Sequence, residues 1–292
     1  MPQSGSIHAL LLLLLSLLSP HVSNAQNSQP DPTLRPTLES AFNAWRDAVS
    51  TRNVNKWEEI TAYSRQIEIR NRIVSQRLPF PDAFFDDPLE SPSLNGLIAL
   101  GILSTGQTAT STYYGKANFG APPGTVLTDN LLVLHFLREE GVWKFDSLRV
   151  VKPGNDGELL LQIRNGDFSF LTGIEFQPAA QLPLVPQPVT TPEYVAEAWI
   201  NATGYEVSVS VNGHLTGKFA NIKTAALIIG GLRRGQNSIN LKISKLADSA
   251  GRTPKVEVAI YAAKDPEGQA ERAFHYRPEA PEADYNSTIL ID

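Results

Sequence analysis

The stretch from Asn130 to Val151, NLLVLHFLREEGVWKFDSLRVV, constrains the fold most, because it reads as two long strands joined by a tight turn around Gly141. Leu131, Leu132, Val133, Leu134, Phe136 and Leu137 place apolar side chains on both alternating faces. The first strand therefore needs cover on one side at least, and by this pattern on both. Two registers are open for the hairpin. A two-residue loop at Glu140-Gly141 sets His135 opposite Asp146, whereas a three-residue loop from Glu139 to Gly141 sets His135 against Phe145 and turns Asp146 to the other face. The second suits the residues better, since Glu140 accepts a positive φ poorly and Gly141 fits a left-handed third position.

The residues before the hairpin look built to cover it. Leu38, Ala41, Phe42, Trp45, Ala48 and Val49 form one helical stripe, and a second helical run carries Trp57, Ile60, Tyr63, Ile67, Ile73 and Val74 to about Leu78, where Pro79 and Pro81 end it. Short β-prone pieces follow at Leu97–Leu103, Thr108–Tyr114 and Val126–Thr128, separated by glycines. This order predicts an α+β unit over residues 34–152, with helices on one face of a curved antiparallel sheet. Residues 153–192 are transitional, with a short strand or helix at Leu159–Ile163 and a strand at Phe168–Phe176. They end in a stiff connector carrying Pro178, Pro183, Pro186, Pro188 and Pro192.

Beyond the connector the alternation is clean. Tyr205, Val207, Val209 and Val211 face one way, and the series Ile239, Leu241, Ile243 and Val256, Val258, Ile260 repeat the pattern. Asn212-Gly213 is a hairpin turn signal. Residues 193–264 are thus expected to form an all-β sandwich of six or so short strands, followed by a loose tail over 265–292 in which Thr288–Ile291 docks as a last strand.

The helix with Trp45, the break at Arg52-Asn53, the second helix near Trp57 and the closing strand Gly141–Phe145 resemble the nuclear-transport-factor-2-like superfamily of cone-shaped α+β domains. The likeness covers under half the chain. The VNG turn followed by GLRRGQN and an apolar strand resembles immunoglobulin-like or galactose-binding-like accessory modules. In cone-shaped relatives that isomerise or dehydrate small molecules, an acid or base works beside a hydroxyl, and the resemblance implies Tyr63, Tyr113 or Tyr114 as its source.

Residues 1–25 carry an apolar core from Ala9 to Leu18 and the small-residue pattern Ser23-Asn24-Ala25, which reads as a secretory signal peptide. As a helix that core reaches roughly 15 Å, about half the hydrocarbon thickness, so no stable membrane insertion is expected after cleavage. The expected location is the periplasm or the extracellular space, and a bacterial source suits the absence of cysteine. That absence also removes disulfides, thiolate metal sites and cysteine nucleophiles. A net charge of -5 gives no broad basic field, so a nucleic-acid partner is not expected.

Chemistry has few places to sit. His135 and Asp146 are the candidate acid–base pair, provided the register lets them meet. Trp199 is the candidate ligand platform: in VAEAWINA the small and apolar residues Ala196, Ala198, Ile200 and Ala202 take the buried face, which turns Trp199 outward. No HExxH or GxSxG motif occurs, and the histidines after the leader are His135, His214 and His275, so neither a metal nor a cofactor is expected. The expected role is a non-catalytic binding protein for a small molecule, carbohydrate or protein. An isomerase or dehydratase working in the first unit, and a carbohydrate-binding accessory protein, are the alternatives.

Overall fold

The computed structural model describes residues 28–86, 91–122, 124–154, 156–247, 253–264 and 268–292. The segment read as a signal peptide lies outside them. The fold is mixed α+β with three antiparallel sheets, and the chain separates into two compact units. Among the described residues, 28–67 and 84–186 form a hairpin unit, while 68–83 group with those from 187 to 292 in a sandwich unit.

The hairpin unit is built on a five-stranded sheet in the order β1-β2-β3-β4-β5, with β1 at Gln29–Pro30, β2 at Ile98–Ser104, β3 at Thr108–Lys116, β4 at Asp129–Glu139 and β5 at Val142–Val151. Residues 29–30 thus contribute an edge strand, Gln29 pairing with Ser104. Val126–Thr128, expected as a strand, precedes β4 without joining it. Helix α1 (Arg35–Ser50) buries Leu38, Phe42, Ala48 and Val49. Its stripe meets Leu132, Leu134, Phe136, Trp143 and Phe145 from the sheet in one core. Phe42, Trp45 and Phe136 all pack their rings on Phe145, at centroid distances of 5.3, 4.4 and 5.8 Å.

The second helical run divides. Helix α2 (Val54–Ile60) ends where Thr61 turns extended and bridges Phe145, and Ala62 donates its N–H to the Phe145 carbonyl at 2.8 Å. Edge pairing with β5 thus outbids helix continuation, and α3 (Tyr63–Ser75) starts anew. Trp57 on α2 is fully buried against Phe84 and Phe85.

The expectation of helices on one face is corrected, because the other face is covered as well. Leu131 and Val133 of β4 pack with Ile163 of α4 (Gly157–Arg164), Leu171 and Phe176. Residues 168–176 form a short 3-10 turn and loop in place of the expected strand. The physical reason lies in β4 itself, whose both-sided apolar series can be dried only from two directions.

The hairpin loop also differs from the favoured three-residue form. Glu139 pairs with Val142, leaving a two-residue loop in which Glu140 and Gly141 take φ values of 51° and 83°. This is the primed turn that matches strand twist, and its geometry prevails over the preference of Glu140. Pairing then slips once: Phe136 faces Phe145, but His135 faces Ser147, so Asp146 is the extra residue of a bulge. The bulge follows the apolar spacing. Trp143, Phe145, Leu148 and Val150 all serve the α1 core, and the three-residue step from 145 to 148 breaks a period of two.

The sandwich unit has two four-stranded sheets sharing one core. One runs β13-β10-β7-β8 and the other β12-β11-β6-β9. Their strands are β6 (Val195–Thr203), β7 (Tyr205–Val211), β8 (His214–Ala220), β9 (Lys223–Leu227), β10 (Gly235–Lys245), β11 (Lys255–Ala263), β12 (Glu271–Tyr276) and β13 (Asp284–Ile291). The expected loose tail is corrected in part: it also supplies β12, while the expected last strand at Thr288–Ile291 lies within the longer β13, so each sheet gains one strand. The last part of α3 groups here through Asn71, whose amide donates to the Gln187 carbonyl at 2.8 Å and accepts from Val189 N–H at 2.9 Å. Ser75 Oγ likewise accepts from Gly230 N–H at 2.8 Å.

Replacing Glu140 by asparagine, which tolerates a left-handed conformation, should stabilise the protein by roughly 0.5–1 kcal/mol. A rise in the urea midpoint at constant slope is the expected reading, and an unchanged or lower midpoint would contradict the turn assignment.

Candidate functional site

Two places gather polar side chains. The first surrounds His135 on β4, on the sheet face away from α1. Ser147 lies directly across the strand pair and Arg149 stands one step along on the same face. The bulge brings in Asp146, whose carboxylate accepts from Ser147 Oγ at 2.8 Å and pairs with Arg65 of α3 at 3.4 Å. Thr110, the β3 neighbour of His135, is committed elsewhere, donating to the Phe176 carbonyl at 2.7 Å.

Electrostatics there favours the neutral imidazole. Burial pushes His135 down to about 4, Asp146 opposes the fall, and Arg65 and Arg149 add to it. Its Nε2 is shielded from solvent and has no hydrogen-bond partner. The sequence pair therefore comes together electrostatically, although not as directly facing residues. Asp146 is occupied by Arg65 and Ser147, and a histidine with so low a pKa is a weak base near neutrality.

The tyrosines do not join this group. Tyr113 is buried on the α1 face, where its hydroxyl donates to Glu39 at 3.0 Å, and burial first, then Glu39, raises its pKa. Tyr114 lies on the His135 face but two cross-strand rows away, beside Asp129. Tyr63 opens α3 and is 51% exposed.

The second place is the outer face of the sheet β12-β11-β6-β9. Ala196, Ala198, Ile200 and Ala202 of β6 enter the core, which leaves Trp199 pointing out and 58% exposed. Its cross-strand neighbours are small, Ala259 on β11 and Ala225 on β9, so both sides of the indole stay clear. The ring leans on Tyr261, 5.8 Å away and tilted by 59°. Glu197 sits on the same face, opposite Tyr261. Burial pushes its carboxyl pKa up, and the hydrogen bond with Trp199 partly opposes this. One row the other way, Glu257 binds Lys255 at 2.6 Å and His275 at 3.1 Å, with Arg277 at 4.0 Å. Hydrogen bonds to Lys255 and then His275 hold its carboxyl below the usual range.

Sequence reasoning singled out Trp199, with Glu197 and Asn201 beside it, but missed Tyr261 and the Glu257 cluster. Alternation along β11 already turned Tyr261, Ala259 and Glu257 to one face; what was missing was which strand lies beside β6. On β5, the step from Phe145 to Leu148 was the available sign that Ser147 and Arg149 would face His135.

Among the described residues no group of three or more histidine or acidic side chains is placed to hold a metal ion, and no helix is long and apolar enough to cross a membrane. Comparison with models of known families, with curated proteins and with solved structures finds no match to this chain.

Because His135 is held at about 4 against 6.5 for the free side chain, protons bind the unfolded chain more tightly. Stability from keeping this imidazole neutral is intact above about pH 6.5 and is lost as the pH falls toward 4. The stability gap between the wild type and His135→Asn should therefore narrow across that window in denaturant titrations. A gap independent of pH would remove His135 from the acid response.

Proposed function

We propose that the protein is an exported, non-catalytic binding protein that holds a saccharide ring on the outer face of its second unit. The observation that carries this reading is the half-exposed Trp199, flanked by alanines and supported by Tyr261 and Glu197. Burying such a side chain contributes roughly 1.5–3 kcal/mol, and this strand spends none of its core on it. A flat indole with open flanks suits the C–H face of a pyranose, while Glu197, protonated more readily than an ordinary glutamate, and the Asn201 amide offer hydrogen-bond partners for hydroxyls. Residues on a sheet are also held more rigidly than residues on a loop, which limits the entropy lost on binding.

The leader with its apolar core and Ser23-Asn24-Ala25 pattern supports export to the periplasm or cell surface. We read the hairpin unit as a cone of the nuclear-transport-factor-2-like kind, on the strength of its Trp-bearing helices packed against a closing hairpin, and the second unit as an immunoglobulin-like or galactose-binding-like module. Catalysis by His135 is the weaker reading, because its Nε2 is shut away from solvent and its carboxylate partner is already engaged.

Trp57 and Trp143 are buried and Trp45 is partly buried with its ring against Phe145, so acrylamide quenching should fall mainly on Trp199 and drop sharply in Trp199→Phe. Binding of the full chain on a glycan array should vanish in Trp199→Ala while the melting temperature changes little. An array pattern indifferent to Trp199 would defeat the reading.

A further inference from the structure

The cross-strand rows around Trp199 carry unequal charge. In its own row the sequence across the sheet is His275, Ala259, Trp199, Ala225. The next row holds Glu257, Asn201 and Lys223, and Arg277 and Lys255 close on Glu257 from its two sides. Lys255 and Arg277 thus flank Glu257, and Lys223 stands at the other end of its row, in a chain whose net charge is -5. Glu257 cannot neutralise them all, and Lys223 is paired with Asn201 in register rather than with an acid.

We propose that the ligand of this face is an acidic saccharide, a chain of uronate sugars, with one ring stacked on Trp199 and separate carboxylates of the chain received by Lys223 at one end of the row and by Arg277 at the other. This rests on the saccharide reading above. The spacing fits: successive residues on one face of a strand lie about 7 Å apart, within reach of a carboxylate projecting from a ring centred over the indole. The floor between Trp199 and His275 is Ala259, so a trough about two strand spacings wide, roughly 10 Å, runs beside the indole. An anionic group is disfavoured directly over the indole, whose face is electron-rich, and favoured where the cations stand, so ring and charge are sorted to different rows. The same cations oppose a positively charged ligand, although an aromatic pair beside a glutamate would otherwise suit one.

The test uses the full chain and two probes, short oligogalacturonates and the same oligomers with every carboxyl methyl-esterified, followed by calorimetry. The acid form should bind at least about tenfold more tightly than the ester at low salt, and this preference should shrink as salt is raised. Lys223→Gln combined with Arg277→Gln should abolish the preference for the acid form, and Trp199→Ala should remove binding of both probes. Equal affinity for acid and ester would overturn the acidic ligand and leave the saccharide reading standing. Failure of both probes at roughly 10 mM would overturn the two together.

Discussion

The pairing of β4 with β5 is the constraint from which the hairpin unit follows. Its turn is as short as a hairpin allows, so the register near Gly141 has no freedom, and every apolar side chain of β5 must then find the correct face from a fixed start. It could not do so with an unbroken ladder. Continuing the pairing of Phe136 with Phe145 would place Leu148 beside Val133 and put Ser147 toward α1. The extra residue at Asp146 returns Leu148 and Val150 to the core under α1 and gives Ser147 and Arg149 to the opposite face. The polar group around His135 is therefore a consequence of apolar packing. Its charges sit where the bulge had to go.

That origin bears on what the group can do. Bulges also occur at active sites, and a buried histidine beside an aspartate invites a catalytic account. Here the aspartate serves Arg65 and Ser147, and burial dominates the imidazole. A neutral ring with a shielded nitrogen is suited to a dry interior more than to proton transfer.

The outer face of the sandwich follows from a different economy. Both sheets dry a single core, with alanines on β6 letting the strands of the facing sheet approach, and Glu197, Trp199 and Asn201 along β6 are turned out. An exposed tryptophan on such a strand contributes little to stability. Its neighbours are small in both adjoining strands, and its supports, Tyr261 and Glu197, come one row along the sheet. The arrangement leaves a flat aromatic face beside a cationic border, and both features lie on rigid strands.

The amino-acid sequence by itself determined the alternation, and with it the outward direction of Trp199, the both-sided burial of β4 and the division into an α+β part and an all-β part. These are local consequences of a two-residue repeat and of proline and glycine punctuation. It did not decide how strands find neighbours. The end of α3 was legible as helix, but its grouping with the later strands depends on Asn71 meeting Gln187 and Val189, more than a hundred residues away. Residues 271–276 and 284–287 looked like tail because they are rich in polar and charged side chains, and they are ordered as strands by the backbone edges of β11 and β10. The rows that set Trp199 beside Ala259 and bring Arg277 to Glu257 were decided in the same way. Strand pairing is made by backbone groups common to every residue, so only the assembled sheet could say which side chains would share a row.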